Sequence, residues 1–593
     1  MRAETIPASL MSQAETRPYA PAYYIKQGGA WRSRSWKAYV SEVRQTARAL
    51  IAHGFKPGDK VAQLGFNCPE WVIFHLAAMC CGGAGVGVYT TCSAEEVQYV
   101  VHHAEARFLF VDSHDQWRKI DAERDNLPLL EHVVLTRELE AIDDPMVLTW
   151  EAFHARAEEA DEARLDERID ALEPTGLASL IYTSGTTGPP KGVMLTHENV
   201  AWTAKLSMEL VESSDGDCSL SYLPLSHIAE QNITVYGPTI SGSSIYYAES
   251  IDKVADNLRE VQPTLIFGVP RIWEKFYAGV SARLSEATGV KAALLGWARG
   301  VASKVHEARN RGAAPSALTE LQYGLAQRLV FSKLKAALGL SRADMCVSGA
   351  APISKEILEF FASLDVVIRE IYGQSEDTGP TSFNLPGKTK FGTVGVPLPG
   401  VTVKLGDDDE ILVKGKNVFP GYYKDSDASA EALTDGWLHS GDLGSFDEDG
   451  FLVITGRKKD IIITAGGKNV APKNIEAALK NSQLINEAVV IGDRRKYLSA
   501  LVTLDPEAVA KFLQTNGIEP APVDQIPALQ EAVQAIVDEV NSHLAKVETI
   551  KKFAILRENL SVENGELTPT LKVKRKVVGE RHAEVIESLY KDA

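Results

Sequence analysis

The sequence predicts a multi-layer α/β domain with β-subdomains, followed by a smaller α+β domain. Three observations carry this fold class. The chain has 593 residues, too many for one ordinary hydrophobic core. Between residue 30 and about residue 450, helix-like stretches alternate with short apolar strands, the pattern of helices layered on sheets. Near "GRKKDIIITAGGKNVAP" (456–472), charge and glycine crowd together, and a new α+β pattern begins.

The opening "MRAETIPASLMSQAETRPYAP" lacks the apolar core of a signal peptide and reads as a loosely held polar lead-in. "SWKAYVSEVRQTARALIAHG" then has helical periodicity, while "KVAQLGF", "ARFLFVD" and "HVVLT" are short buried strands. "WVIFHLAAMCCGGAGVGVY" (71–89) is long enough to suggest a membrane span. It holds His75 and two central glycines, however, and parses better as a buried helix to Cys81 and then a buried strand. It is no dinucleotide fingerprint either, since Val88 stands where a third glycine belongs. Further on, "LASLIYT" and "GVMLTH" read as two strands joined by a glycine-rich loop. Residues 277–340 hold amphipathic helical segments with no strand between them, an added helical lobe. The expected division is residues 1–456, a junction at 457–460, and residues 461–593.

Composition narrows the function. With 45% hydrophobic and 24% charged residues the chain is a soluble globular type. Its net charge of −17 argues against nucleic acid as a general partner, because such binding is driven by phosphate neutralisation. The six cysteines show neither metal-ligand spacing nor a disulfide framework, so a reducing cytosol fits best.

The loop "TSGTTGPPK" (183–191) packs glycines and hydroxyls before a lysine, a composition that brings backbone N–H groups against phosphate oxygens. It is not a Walker loop. Pro190 precedes Lys191, Gly192 follows it, and a strand rather than a helix comes next. Five more stretches stand out. "SGAAP" (348–352) and "EIYGQSEDTG" (370–379) each close an apolar strand in a small-residue turn, where open α/β sheets bind ligands. "GWLHSGDLG" (436–444) sets Asp442 between turn residues, "GRKKD" (456–460) sets Arg457 at the junction, and "LTPTLKVKRK" (567–576) is a basic run in an acidic protein.

In this order, these stretches resemble the core motifs of the adenylate-forming superfamily, which contains acyl-CoA synthetases, nonribosomal adenylation domains and firefly luciferase. The resemblance runs from about residue 20 to 580. "YGQSE", "LPLSHIAEQ" and "VPRIWEK" most resemble the long-chain fatty acid–CoA ligases, the bubblegum-type branch in particular.

The resemblance implies a mobile C-terminal domain and a two-step reaction, in which ATP activates a carboxylate as acyl-AMP and coenzyme A then displaces AMP. It implies that Thr183, Ser184, Gly185, Thr186, Thr187, Gly188 and Lys191 hold the β- and γ-phosphates. Glu376 matches the Mg2+ ligand, with Thr183 a second contact, and an oxygen ligand suits a hard cation that keeps water. Gly349 and Ala350 would line adenine, Tyr372 would stack on it, and Gly373 and Gln374 lead to Ser375 at the α-phosphate. Asp442 would take both ribose hydroxyls, with Arg457 on the same sugar, although an aspartate in "SGDLG" can equally cap a turn. Lys572 matches the catalytic lysine, with Thr570 and Leu571 where many members carry Ser-Gly. Lys574, Arg575 and Lys576 fit a solvated basic face or a contact for coenzyme A phosphates. Lys459 matches the hinge residue, or is an exposed loop charge, and Gly466 and Gly467 match the pantetheine passage. His227 aligns with a position near the substrate carboxylate, where a structural histidine is the alternative. Gln231 stands where some long-chain enzymes carry a tryptophan gate.

The expected activity is therefore a long-chain fatty acid–CoA ligase, with a tunnel for the acyl chain beside the helical lobe. An acyl-AMP ligase serving a carrier protein and a catalytically dead lipid-binding scaffold are the alternatives. Peripheral contact with the inner face of a membrane is left open.

Overall fold

The computed structural model describes residues 4–183, 189–466 and 468–591. Two large, mainly parallel sheets build the N-terminal domain. The seven-stranded one runs, in spatial order, Val147–Leu148, His132–Leu135, Ala106–Val111, Lys60–Leu64, Ala84–Val88, Leu177–Thr183 and Lys191–Thr196. Only its last pair is antiparallel. Every residue of Lys60–Leu64 and Ala84–Val88 is buried, as a strand covered on both faces requires. The intervening helix Pro69–Cys80 is buried all round, so the apolar run at 71–89 is packed inside the domain. No helix among the described residues is long and apolar enough to cross a membrane.

The nine-stranded sheet has the order Val396–Pro397, Ser382–Phe383, Ile368–Tyr372, Met345–Ser348, Leu265–Gly268, Cys218–Ser221, Ser244–Tyr247, Pro21–Gln27 and Ala30–Ser35. Its central strands are parallel, so the ends of Met345–Ser348 and Ile368–Tyr372 open on the same edge. A third, antiparallel sheet contains Trp437–Phe446 paired with Leu452–Arg457. One continuous core, including Trp36, Trp71, Phe74, Phe108 and Phe153, joins these layers.

The lobe is helical throughout. Helix Pro270–Ser285 leads to Gly289–Asn310, and Ala317–Ala326 continues through a wide turn, Gln327–Phe331, into Ser332–Leu338. Buried Asp365 fastens its base, accepting from His306 Nε2 at 2.8 Å, Tyr323 Oη at 2.5 Å and Lys335 Nζ at 2.5 Å. The C-terminal domain has its own core, with Leu479, Val490, Val502, Leu529 and Val533 packed between the Ile485–Ile491, Leu498–Leu504 and Ile550–Ile555 sheet and its helices.

The N-terminal expectation is corrected. Residues Ile6–Thr16 form a helix capped by Thr5, whose hydroxyl accepts from the Ala8 amide. Ile6, Pro7, Leu10 and Met11 are buried beneath it, and Gln13 Nε2 donates to Thr239 O at 3.0 Å. Its apolar residues fall one turn apart among polar ones, and a partner more than two hundred residues away orders the helix. All six cysteines are free thiols.

Candidate active site

Asp442 and Arg457 are direct cross-strand partners. Arg457 Nε lies 3.5 Å from Asp442 Oδ1, and Tyr372 Oη donates to Asp442 Oδ2 across 3.0 Å. Burial, and then Asp442 itself, push the Tyr372 hydroxyl well above its ordinary range, so it stays a donor. Burial opposes the Arg457 charge, but Asp442, Asp460 and Glu376 outweigh it and raise its pKa. The expectation that Asp442 sits between turn residues is overturned. It lies inside the ten-residue strand Trp437–Phe446, where Gly441 takes φ +71° and the pairing register shifts between Leu443 and Gly444. The small residues form a strand irregularity that turns Asp442 toward Tyr372 rather than a loop.

Two neighbouring strand ends make the opposite wall. A Cβ on Gly349 would stand 2.7 Å from Ile371 Cγ2, and Ala350 takes φ +68°, so the chain turns as tightly as it can over Ile371. A Cβ on Gly373 would meet the Gly379 carbonyl oxygen at 1.5 Å, which only glycine permits. Ser375 is buried at the start of the short helical turn Ser375–Asp377. Gln374 Nε2 and Ser348 Oγ, at the ends of these strands, are buried with no hydrogen-bond partner among the described residues. Such orphaned groups fit a wall that meets a polar ligand.

Thr183 and Lys191 face each other across the antiparallel pair that bounds the glycine-rich loop. Ser184, Gly185, Thr186, Thr187 and Gly188 lie outside the described residues. Lys191 Nζ sits 4.9 Å from the centre of the Tyr422 ring, and Tyr422 Oη donates to Glu376 Oε1 at 2.8 Å. The strap carrying Tyr422 is tied to both neighbours, since Phe419 N donates to Glu376 O at 2.9 Å and Tyr423 N to Gly192 O at 2.8 Å. Glu376 is thus held through Oε1, with no hydrogen bond to its Oε2 among the described residues. No group of three or more His, Cys, Asp or Glu among the described residues could hold a metal. One half-buried carboxylate fits a hard cation whose other ligands are water and phosphate.

Lys572 comes from the C-terminal domain and enters this cleft. It keeps solvent access along the cleft, yet protein surrounds it widely enough that burial, then Arg457 and Lys473, lower its pKa to about 8 against the pull of Asp442 and Glu376. A tight turn presents it: Thr568 N donates to Lys572 O at 2.8 Å and Lys572 N to Thr568 Oγ1 at 3.0 Å. Leu571 takes φ +59°, which explains why the resembling motif favours glycine there. Thr91 Oγ1 donates to Pro569 O at 2.8 Å and pins the turn to the N-terminal domain. His227 faces the same lysine. Burial, then Lys572, lower its pKa to about 4, and its Nδ1 accepts from Ala229 N at 3.2 Å. The ring is neutral with its proton on Nε2, a donor for an oxyanion.

Lys459 is exposed in the turn after Arg457, and Gly466 is exposed, a would-be Cβ there meeting Thr464 Oγ1 at 4.0 Å and nothing nearer among the described residues. Gly467 lies outside the described residues. Gln231 is fully buried: Tyr236 Oη and Ser179 Oγ donate to its Oε1 at 2.7 and 3.3 Å, and its Nε2 donates to Leu225 O at 2.9 Å. Tyr422 was not found from the sequence. The available signal was the tyrosine pair in "FPGYYKD", but Tyr423 goes elsewhere, its Oη donating to Glu105 at 2.8 Å, and only the fold separates the two.

Residues 10–423 match the family described as AMP-binding enzyme, and residues 459–593 match the AMP-binding enzyme C-terminal domain. The chain belongs to the AMP-binding enzyme family. This AMP-binding enzyme is 38% identical to the long-chain-fatty-acid–CoA ligase ACSBG2 of Xenopus laevis, over 96% of its own chain and 81% of that protein. It is 36% identical to the long-chain-fatty-acid–CoA ligase FadD15 of Mycobacterium tuberculosis, over 96% and 95% of the two chains. Among solved structures, the fold is shared with the anthranilate CoA ligase AuaEII bound to anthranoyl-AMP, at a TM-score of 0.73 and 20% identity over 99% and 98% of the chains. The adenylation domain of a carboxylate reductase from Mycobacterium chelonae gives 0.75 and 22%, over 99% and 91%.

Proposed function

We propose that this AMP-binding enzyme is an ATP-dependent long-chain fatty acid–CoA ligase. One observation carries the chemistry: Lys572 from the C-terminal domain converges on Asp442, Glu376 and His227 from the N-terminal one and on Arg457 at the junction. A cation there can neutralise carboxylate and α-phosphate as they meet. The acyl class is supported by the relatives, whose names specify long-chain fatty acids.

In the first step a carboxylate oxygen bonds to the α-phosphorus of ATP and pyrophosphate leaves. Asp442 and Arg457 hold the ribose, the Gly349–Ala350 and Tyr372–Ser375 turns hold adenine and α-phosphate, and Thr183 to Lys191 hold the leaving phosphates. Glu376, with Thr183, would hold Mg2+, which offsets phosphate charge when bound. Lys572 and the Nε2–H of His227 donate to the oxygens where charge gathers. In the second step the coenzyme A thiol sulfur bonds to the acyl carbon, AMP leaves, and the thiol proton passes to AMP phosphate or solvent. For this step the C-terminal domain, beginning after residues 457–460, turns about Lys459. That withdraws Lys572 and brings Gly466 and Gly467 to the pantetheine passage.

The test separates the steps. Lys572→Ala should lose about a hundredfold or more of ATP-dependent acyl-AMP formation, while still converting supplied acyl-AMP and coenzyme A to acyl-CoA. Equal loss of both steps would refute the alternating arrangement. On wild type, each buried CH2 contributes about 0.8 kcal/mol, so kcat/KM should climb steeply with chain length, leaving acetate and benzoate far behind C14 to C18 acids. A flat profile would remove the long-chain assignment.

A further inference from the structure

The outer face of the helical lobe carries an apolar stripe that no other element among the described residues covers. Leu318, Leu321, Leu325 and Leu329 recur at helical spacing along Ala317–Ala326 and its continuation, and are 66, 74, 50 and 47% exposed. Three- and four-residue steps put all four on one side of the helix. Leucines scattered singly need no explanation, but a contiguous row at this exposure does.

Charge says what covers it. The whole chain carries −17, yet residues 277–340 hold nine Lys and Arg against three Glu. Between residues 308 and 343 the only carboxylate is Glu320, and Arg309 Nη2 already pairs with its Oε1 at 2.9 Å. Arg328 and Lys333, both exposed, fall on either side of the leucine row. A second copy of the chain docking on this face would bring like charges together. An anionic lipid surface would neutralise them while the leucines enter the acyl boundary.

We propose that this leucine face of the lobe seats the protein on anionic membrane surfaces, without spanning them. The site is independent of the reaction, so binding is measured without ATP or coenzyme A. The purified full-length chain is floated with phosphatidylcholine vesicles and with vesicles that also contain phosphatidylglycerol. The protein should float with the anionic vesicles, and less so as salt rises. Leu321→Glu combined with Leu325→Glu should lower the bound fraction about tenfold or more, with an unchanged thermal unfolding midpoint. Arg328→Glu with Lys333→Glu should remove the preference for phosphatidylglycerol, and decides the matter if the leucine variant fails to fold. The proposal is overturned if the wild-type protein does not prefer anionic vesicles or if both variants bind as it does. It is also overturned if light scattering shows a dimer lost on leucine substitution while vesicles are ignored.

Discussion

Tyr372 Oη donates to Asp442 Oδ2 across 3.0 Å, tying the end of a parallel strand in the nine-stranded sheet to an antiparallel strand of another sheet. The carboxylate is therefore aimed before any ligand arrives, with Arg457 on its other oxygen. Tyr372→Phe removes one hydrogen bond, worth about 1 kcal/mol, and should raise the KM for ATP roughly fivefold with kcat little changed. Asp442→Ala should cost about 2–4 kcal/mol, since two charge-assisted bonds go. Steady-state kinetics at varied ATP measures both, and an unchanged KM in Asp442→Ala would return that residue to a purely structural role.

Glu376 is held by Tyr422 Oη at 2.8 Å, and the same ring lies under Lys191. Tyr422→Phe should raise the Mg2+ concentration needed for half-maximal pyrophosphate exchange severalfold, through the loss of about 1 kcal/mol of orientation. Glu376→Gln should raise it further, because a charge is lost at constant shape. Exchange at wild-type Mg2+ dependence in both variants would exclude Glu376 as a ligand.

The ammonium of Lys572 has a pKa lowered to about 8, and the proposed adenylation step requires it charged. Adenylation kcat/KM, which reports the free enzyme, should fall as pH rises through about 8. The kcat limb should lie higher, since bound phosphates favour the cation. Lys572→Arg should move the alkaline limb out of the accessible range, whatever it does to the rate. A profile identical in wild type and Lys572→Arg would assign the limb to another group.

Arg271 in "VPRIWEK" reaches across to the C-terminal domain, with Nη2 3.2 Å from Asn486 O and 3.3 Å from Glu487 Oε2; Lys480 Nζ holds the other oxygen at 2.9 Å. This half-exposed contact is worth about 1 kcal/mol at most. Arg271→Ala should therefore slow adenylation by no more than about fivefold, and leave thioester formation from supplied acyl-AMP equal or faster. Gly466→Leu should do the reverse, because in this conformation a side chain there meets open space. Single-turnover assays of each step measure both, and parallel losses in both steps would separate this interface from domain movement.

Much of the architecture was legible in the sequence. The buried helix and strand within 69–88, the strand pair flanking "TSGTTGPPK" and the all-helical lobe follow from periodicity and turn residues, which act within a few residues of one another. The sequence motifs also singled out Asp442, Arg457, Tyr372 and Lys572, which the structure brings together in one cleft. Tertiary structure decided the rest. It made a helix of 6–16 by supplying Thr239 as a partner, and placed Asp442 inside a strand, Trp437–Phe446, that is paired on both sides. It chose Tyr422 over Tyr423 and drove Leu571 into a left-handed turn. Each of these is settled by groups far apart in the chain, whose approach depends on how whole layers pack. No local pattern records that.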